Sequence, residues 1–101
     1  MDLRDMYCRF VEIIDEAIVK KNIYAVPQAA TEVGMRGGEE QRNCGQRWNY
    51  TLKGQDGLTL SVHARWWDQS QAFSIRPDMH LMTVELTGDV IPRHHEGRYE
   101  E

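Results

Sequence analysis

The sequence predicts an α+β fold in which an N-terminal amphipathic helix, joined by a short second helix, packs on a four-stranded antiparallel β-meander. Near the N-terminus, apolar residues recur every three or four positions, which is the period of a helix with one buried face. From residue 47 onward, apolar and polar residues alternate, which is the period of strands with one buried face. Glycine and proline separate these segments, as turn residues do.

Length and composition indicate one globular unit. The chain has 101 residues, of which 41% are apolar, and this suits a single small domain. The formal net charge of −4 argues against a nonspecific nucleic-acid binder, whose surface is basic. No stretch approaches the roughly 18 apolar residues of a membrane span. We expect one domain over residues 1–92, followed by a frayed polar tail over residues 93–101.

The first helix is predicted from Leu3 to Ile18. Asp2 is placed to cap its N-terminus, and Asp5 lies in the first turn, where the helix dipole favours a negative charge. Lys20 and Lys21 follow at the other end, and the next residue, Asn22, ends the helix. The apolar stripe consists of Leu3, Met6, Tyr7, Phe10, Val11, Ile14, Ala17 and Ile18.

A short second helix and a loop are predicted before the strands. Pro27 at a first helical position and Gly34 just past the end indicate a helix over residues 27–33. The segment Met35–Gly45 contains three glycines and no apolar period. We therefore predict a mobile loop there.

Four strands are predicted at residues 47–53, 58–67, 71–76 and 80–87. The run from Gly54 to Gly57 has strong turn chemistry, so the first two strands should form a hairpin. One register scheme makes every inward pair apolar, as a half-buried sheet requires. The predicted inward pairs include Leu52 with Leu58, Tyr50 with Leu60, Trp48 with Val62, Ala64 with Ile75, and Trp66 with Phe73.

The same register predicts a cationic outer face. Arg47, His63 and Arg76 would share one row across three strands, with Arg65 in the next row. Arginine binds carboxylates through paired N–H donors, so this face is a candidate site for an anion or an acidic partner. The alternative interpretation is an ordinary solvated sheet face.

Two adjacent tryptophans must point to opposite faces of a strand. Trp66 is assigned to the core and Trp67 to the outer face, beside Glu85. With Leu81 on the same face, Trp67 is either the apolar centre of an interface or a lone aromatic on its neighbours' stems. The candidate partner-binding residues are Arg47, His63, Arg65, Trp67, Arg76 and Leu81.

Catalytic and metal-binding interpretations are weak. His94 and His95 form a local pair in the predicted tail, whereas zinc requires three or four converging ligands. A general base at His63 needs an orienting carboxylate, for which Asp68 and Glu85 are candidates. Cys44 lacks the motifs of a nucleophile, and no Walker or dinucleotide-binding spacing is present. We therefore expect no metal, no cofactor and no catalytic residue.

The width of the predicted sheet indicates that the protein has a partner. Four strands span nearly 20 Å, whereas one helix covers about 10 Å, and the edge strands of a meander are open to pairing. These dimensions favour a homodimer or a protein partner. Because Asp2, Arg4 and Asp5 interrupt any apolar signal sequence, and the two cysteines Cys8 and Cys44 lack metal spacing, we expect a cytoplasmic protein with free thiols.

Two functional hypotheses remain from the sequence. The leading one is a small noncatalytic protein-binding module, such as an inhibitor, an immunity-type protein or an adaptor of the kind carried by phages and mobile elements. It would act through the outer sheet face or the 35–45 loop. The alternative is a small dimeric ligand-binding protein or hydrolytic enzyme with an anion site around His63 and the nearby arginines.

Overall fold

The structure, a computed structural model, describes residues 2–42, 45–67 and 79–100. Two helices precede a five-stranded antiparallel sheet, whose strands follow one another in chain order. The elements are α1 (Leu3–Lys20), α2 (Ala25–Glu32), β1 (Arg36–Arg42), β2 (Gly45–Lys53), β3 (Thr59–Trp67), β4 (Met79–Thr87) and β5 (Arg93–Glu100).

Helix α1 begins and ends close to its predicted limits. The Asp2 carboxylate accepts a hydrogen bond from the Arg4 backbone N–H, as an N-cap residue should. At the other end, Lys21 adopts a left-handed conformation with φ 52°, which stops the helix. The predicted α+β class, with a long and a short helix on an antiparallel sheet, is confirmed.

The β2–β3 hairpin is confirmed, but its predicted register is wrong by two residues. Trp48 lies opposite Ala64, and Leu52 lies opposite Leu60. The turn is longer than expected: the Gly54 N–H donates to the Leu58 carbonyl at 2.8 Å. A shift of two residues preserves the side-chain alternation, so every β2 and β3 residue keeps its predicted face.

The next pairing also differs from the prediction. β3 pairs directly with β4, which places Ala64 opposite Met82 and Trp66 opposite His80. The predicted strand at 71–76 lies outside the described residues, and its predicted pairs with β3 are wrong because β2 and β4 occupy both sides of β3. Apolar periodicity identifies strands but does not identify their neighbours.

Both edge strands formed where irregular chain was expected. β1 occupies the predicted loop at 35–45, and β5 occupies the predicted frayed tail from residue 93. Neither strand carries the apolar alternation of a half-buried strand. Backbone pairing with β2 and with β4, respectively, orders them instead.

One face of the sheet, the inner face, carries both helices. α1 packs over β3, β4 and β5, and α2 packs over β2 and β3. Neither helix in the described ranges has the length and apolar character needed to cross a bilayer. The largest fully buried side chains are Phe10, Ile14, Val26, Leu58, Leu60, Val62, Met82, Val84 and Leu86.

Candidate functional site

The opposite face of the sheet, the outer face, carries neither α1 nor α2 and has a shallow depression at its centre. The depression encloses about 230 Å³ between β2, β3 and β4. We call it the outer-face depression. It is lined by Arg47, Asn49, His63, Ala64, Arg65, Leu81 and Thr83.

Four of the six predicted site residues line this depression, but their arrangement differs from the prediction. Arg47 lies directly opposite Arg65, and Arg65 lies opposite Leu81. His63 occupies the next row, between Asn49 and Thr83. The predicted row that joined Arg47 to His63 is therefore wrong, because it followed from the register error of two residues.

Arg76 and Trp67 are the two remaining residues predicted for this face. Arg76 lies outside the described residues. Trp67 lies on β3 opposite Met79, not beside Glu85 as predicted, and Glu85 instead lies opposite Ser61. The structure describes the backbone position of Trp67 and not its side chain.

His63 is held by an amide and not by a carboxylate. Its Nδ1 lies 2.6 Å from the Asn49 side-chain oxygen, directly across the strand pair. An amide oxygen only accepts hydrogen bonds, so Nδ1 donates here, and Nε2 is left as the second polar atom of the ring. This contact orients the ring but lacks the negative charge that stabilises an imidazolium during general-base catalysis.

The outer-face depression is positively charged. Among the residues that the structure describes, none that lines the depression is an aspartate or a glutamate. The row that contains both arginines begins at Glu40 on β1 and ends at Arg98 on β5. That row therefore carries three arginines and one glutamate in a protein whose net charge is −4.

The other histidines are dispersed. His94 Nδ1 lies 3.0 Å from Glu85, and His95 Nε2 lies 2.7 Å from Asp15. Across residues 2–42, 45–67 and 79–100, no three histidine, cysteine or acidic side chains group closely enough to hold a metal ion. Cys44, which the sequence analysis considered as a nucleophile, lies outside the described residues.

Shifted pKa values occur away from the outer-face depression and have local causes. A hydrogen bond from Arg4 lowers the pKa of Asp89, and one from Lys20 lowers the pKa of Glu16. Burial raises the pKa of Tyr7. These shifts belong to surface ion pairs and to the core, and they indicate no second reactive site.

Sequence reasoning missed three residues of this surface. Asn49 and Thr83 are uncharged and carried no functional prediction, although Asn49 orients His63. Arg98 was placed in a frayed tail. The cross-strand register would have identified all three, but it depends on turn lengths that the sequence left open.

Comparison with known proteins adds no relative: no family model, no curated protein and no solved structure matches this chain.

Proposed function

We propose that this protein is a small noncatalytic protein-binding module of the cytoplasm that binds an acidic segment of its partner through the outer face of its sheet. Its role would be that of an inhibitor, an immunity-type protein or an adaptor. The observation that carries the proposal is the cross-strand pair Arg47–Arg65 at the outer-face depression.

The pair favours an anionic ligand for two physical reasons. Like charges placed directly opposite each other on a sheet repel, and a carboxylate bound between two guanidinium groups would offset that repulsion. Arginine also presents paired N–H donors whose geometry matches a carboxylate. None of the described residues that line the depression is acidic, so its surface has the charge that attracts an anionic ligand.

The shape favours a protein segment over an enclosed small molecule. Small-molecule sites usually enclose about 300–1,000 Å³, and the depression encloses about 230 Å³. Leu81 adds a half-buried apolar side chain beside Arg65. Arginine is one of the residues that are enriched at the energetic centres of protein interfaces, and Leu81 adds apolar contact area beside it.

The alternative of a hydrolytic enzyme has less support. Its proposed base, His63, contacts an amide oxygen at 2.6 Å, whereas a general base is usually oriented by a carboxylate. Of the two acidic residues considered for that role, Glu85 contacts His94 at 3.0 Å, and Asp68 lies outside the described residues.

A charge-reversal pair tests the proposal. Arg47→Glu removes one of the opposed arginines, and Arg36→Glu makes the same change on the outer face of β1, outside the depression. Tagged wild-type protein and Arg36→Glu should each retain one stoichiometric protein partner from the native cell. Arg47→Glu should lose it, with affinity reduced by about tenfold or more.

A defined probe separates the two hypotheses. A labelled oligoglutamate peptide should bind the wild type, bind more weakly as salt is added, and fail to bind Arg47→Glu. Equal binding by Arg47→Glu and Arg36→Glu would contradict the assignment of this surface. Turnover of an ester substrate that is lost in His63→Gln would instead establish the enzyme.

A further inference from the structure

Strand β5 leaves one edge of the sheet open. It spans Arg93–Glu100 and pairs with β4 on one side, and among the described strands it has no neighbour on the other. An open edge presents backbone donors and acceptors that another strand can use. The charged residues of β5 indicate which strand can pair with this open edge.

We propose that β5 pairs in antiparallel fashion with β5 of a second copy of this chain, so that two sheets become one continuous sheet. The two-fold axis of this pair lies between the two copies of Gly97. An isologous contact requires that residue i meets residue j and that j meets i. In an antiparallel pair, directly opposed residues alternate between two hydrogen-bonding types. A symmetric pair must therefore place one residue on the axis, opposite itself.

Few axis positions are then available, and their charges differ. With Gly97 on the axis, Glu96 lies opposite Arg98 of the second copy, and His94 lies opposite Glu100 of the second copy. Each of these contacts occurs twice by symmetry. Residues 94–100 all take part, so this register uses nearly the whole of β5.

The neighbouring registers place like charges together. An axis at Glu96 brings two copies of Glu96 face to face, and an axis at Arg98 does the same for Arg98. Like charges directly opposite each other are destabilising. Axes nearer either end of β5 shorten the pairing to five residues or fewer, as the strand limits at Arg93 and Glu100 dictate.

The charges that this contact needs are available in the single chain. Glu96, Arg98 and Glu100 form no ion pair with other residues in the described part of the chain. Glu96 and Arg98 are also exposed. Pairing with a second copy would therefore add the two Glu96–Arg98 ion pairs without breaking an existing one.

Helix α1 supports the same contact on the inner face. It packs over β4 and β5, and Asp15 on its flank contacts His95 of β5. Val19 lies one turn beyond Asp15 on that flank, and its side chain is 81% exposed. In the paired sheet, this flank lies on the side of the second copy, so Val19 would lose part of its exposure to solvent.

The other edge of the sheet is a poorer match for a second copy. β1 has glycine at two successive positions, Gly37 and Gly38, and glycine adds no side chain to a cross-strand pair. The favourable symmetric register, about Gly38, matches only Arg36 with Glu40.

Charge exchange across the axis tests the register directly. We would measure mass by sedimentation equilibrium for the wild type, Glu96→Arg, Arg98→Glu, an equimolar mixture of the two variants, and the control Glu39→Arg on β1. The wild type and the control should have twice the chain mass of 11.8 kDa. Each β5 variant alone opposes like charges and should dissociate at least about tenfold more readily.

The mixture is the decisive sample. When Glu96→Arg meets Arg98→Glu about an axis at Gly97, both symmetry-related contacts become arginine–glutamate pairs, so the heterodimer should recover wild-type affinity. A monomeric wild type, β5 variants that remain dimeric, or a mixture that fails to associate would each overturn the proposal. Dissociation of Glu39→Arg would assign the contact to β1 and overturn it as well.

Discussion

Strands β1 and β5 close the same sheet at opposite ends, but in the described part of the chain it is β5 that packs against a helix, α1. Along its length, His95 contacts Asp15 at 2.7 Å, and Tyr99 lies beneath the Lys21 ammonium at 4.3 Å. In β1, by contrast, every residue from Arg36 to Glu40 is exposed. The β5 edge is held by its pairing with β4 and by α1, whereas the β1 edge is held mainly by its pairing with β2.

This difference bears on which edge can serve as an interface. An edge that is already ordered loses less conformational entropy when a partner binds. A weakly supported edge must first be ordered, and local opening of such segments is easier. The polar sequence of β5 is therefore compatible with a stable strand because α1 supplies the contacts that its own side chains lack.

The largest expected effect comes from loosening α1 on the sheet. Phe10 is 1% exposed, so Phe10→Ala should lower the free energy of unfolding by about 3–5 kcal/mol. On the β1 side, Tyr24 is 53% exposed and packs edge-on against Trp48. Tyr24→Ala should therefore lower it by only about 0.5–1.5 kcal/mol.

Urea denaturation of both variants measures the two values under the same conditions. Equal losses would mean that the two sides of the molecule are supported equally, contrary to the comparison of the edges.

The sequence predicted the half of the fold that has an apolar period. The cap at Asp2 follows from the local sequence at the start of α1. The faces of β2 and β3 follow from the alternation of residues along each strand, which an error of two residues in register does not change. The outer positions of Arg47, His63 and Arg65 were correct for that reason. What failed was the choice of neighbours, because the lengths of the turns decide which residues meet.

The edge strands could not be predicted from periodicity. In β5, the inward positions include His95 and Gly97, which lie opposite Val84 and Met82 of β4. Neither is an apolar side chain of the kind that marks a buried face. Gly97 fits because α1 lies directly above it, and that tertiary contact is not visible in the local sequence.

A smaller effect is expected from adding one methyl group to each edge. At Gly97, a Cβ atom would approach Ile14 Cγ2 to 2.6 Å and Ile18 Cγ1 to 2.9 Å. Gly97→Ala should therefore lower the free energy of unfolding by about 1–3 kcal/mol. At Gly38 a Cβ atom meets nothing within 4 Å, so Gly38→Ala should be neutral or raise it by up to about 1 kcal/mol.

Thermal and urea denaturation of the two alanine variants measure the stability change that the same substitution, glycine to alanine, causes at each edge. If Gly97→Ala were as stable as wild type, α1 would have to yield at this contact, and β5 would then be no better supported than β1.

The smallest expected effect concerns the segment that leads into β5. Arg4 of α1 donates from Nε and from a terminal nitrogen to the two oxygens of Asp89, at 3.1 and 3.2 Å. This contact lowers the pKa of Asp89 below its ordinary value of 3.8.

A carboxyl group whose pKa is lower in the folded state adds stability above its unfolded pKa, and that stability is lost as the pH falls through the folded value. Asp89→Asn should therefore be less stable than wild type at pH 5–7, and the difference should shrink as the pH falls below the ordinary value of 3.8. Denaturation at several pH values, with and without added salt, checks this expectation, since salt screens an exposed ion pair. A stability difference that does not change with pH would mean that Asp89 acts through its hydrogen bond from the Val90 N–H at 2.8 Å, and not through its charge beside Arg4.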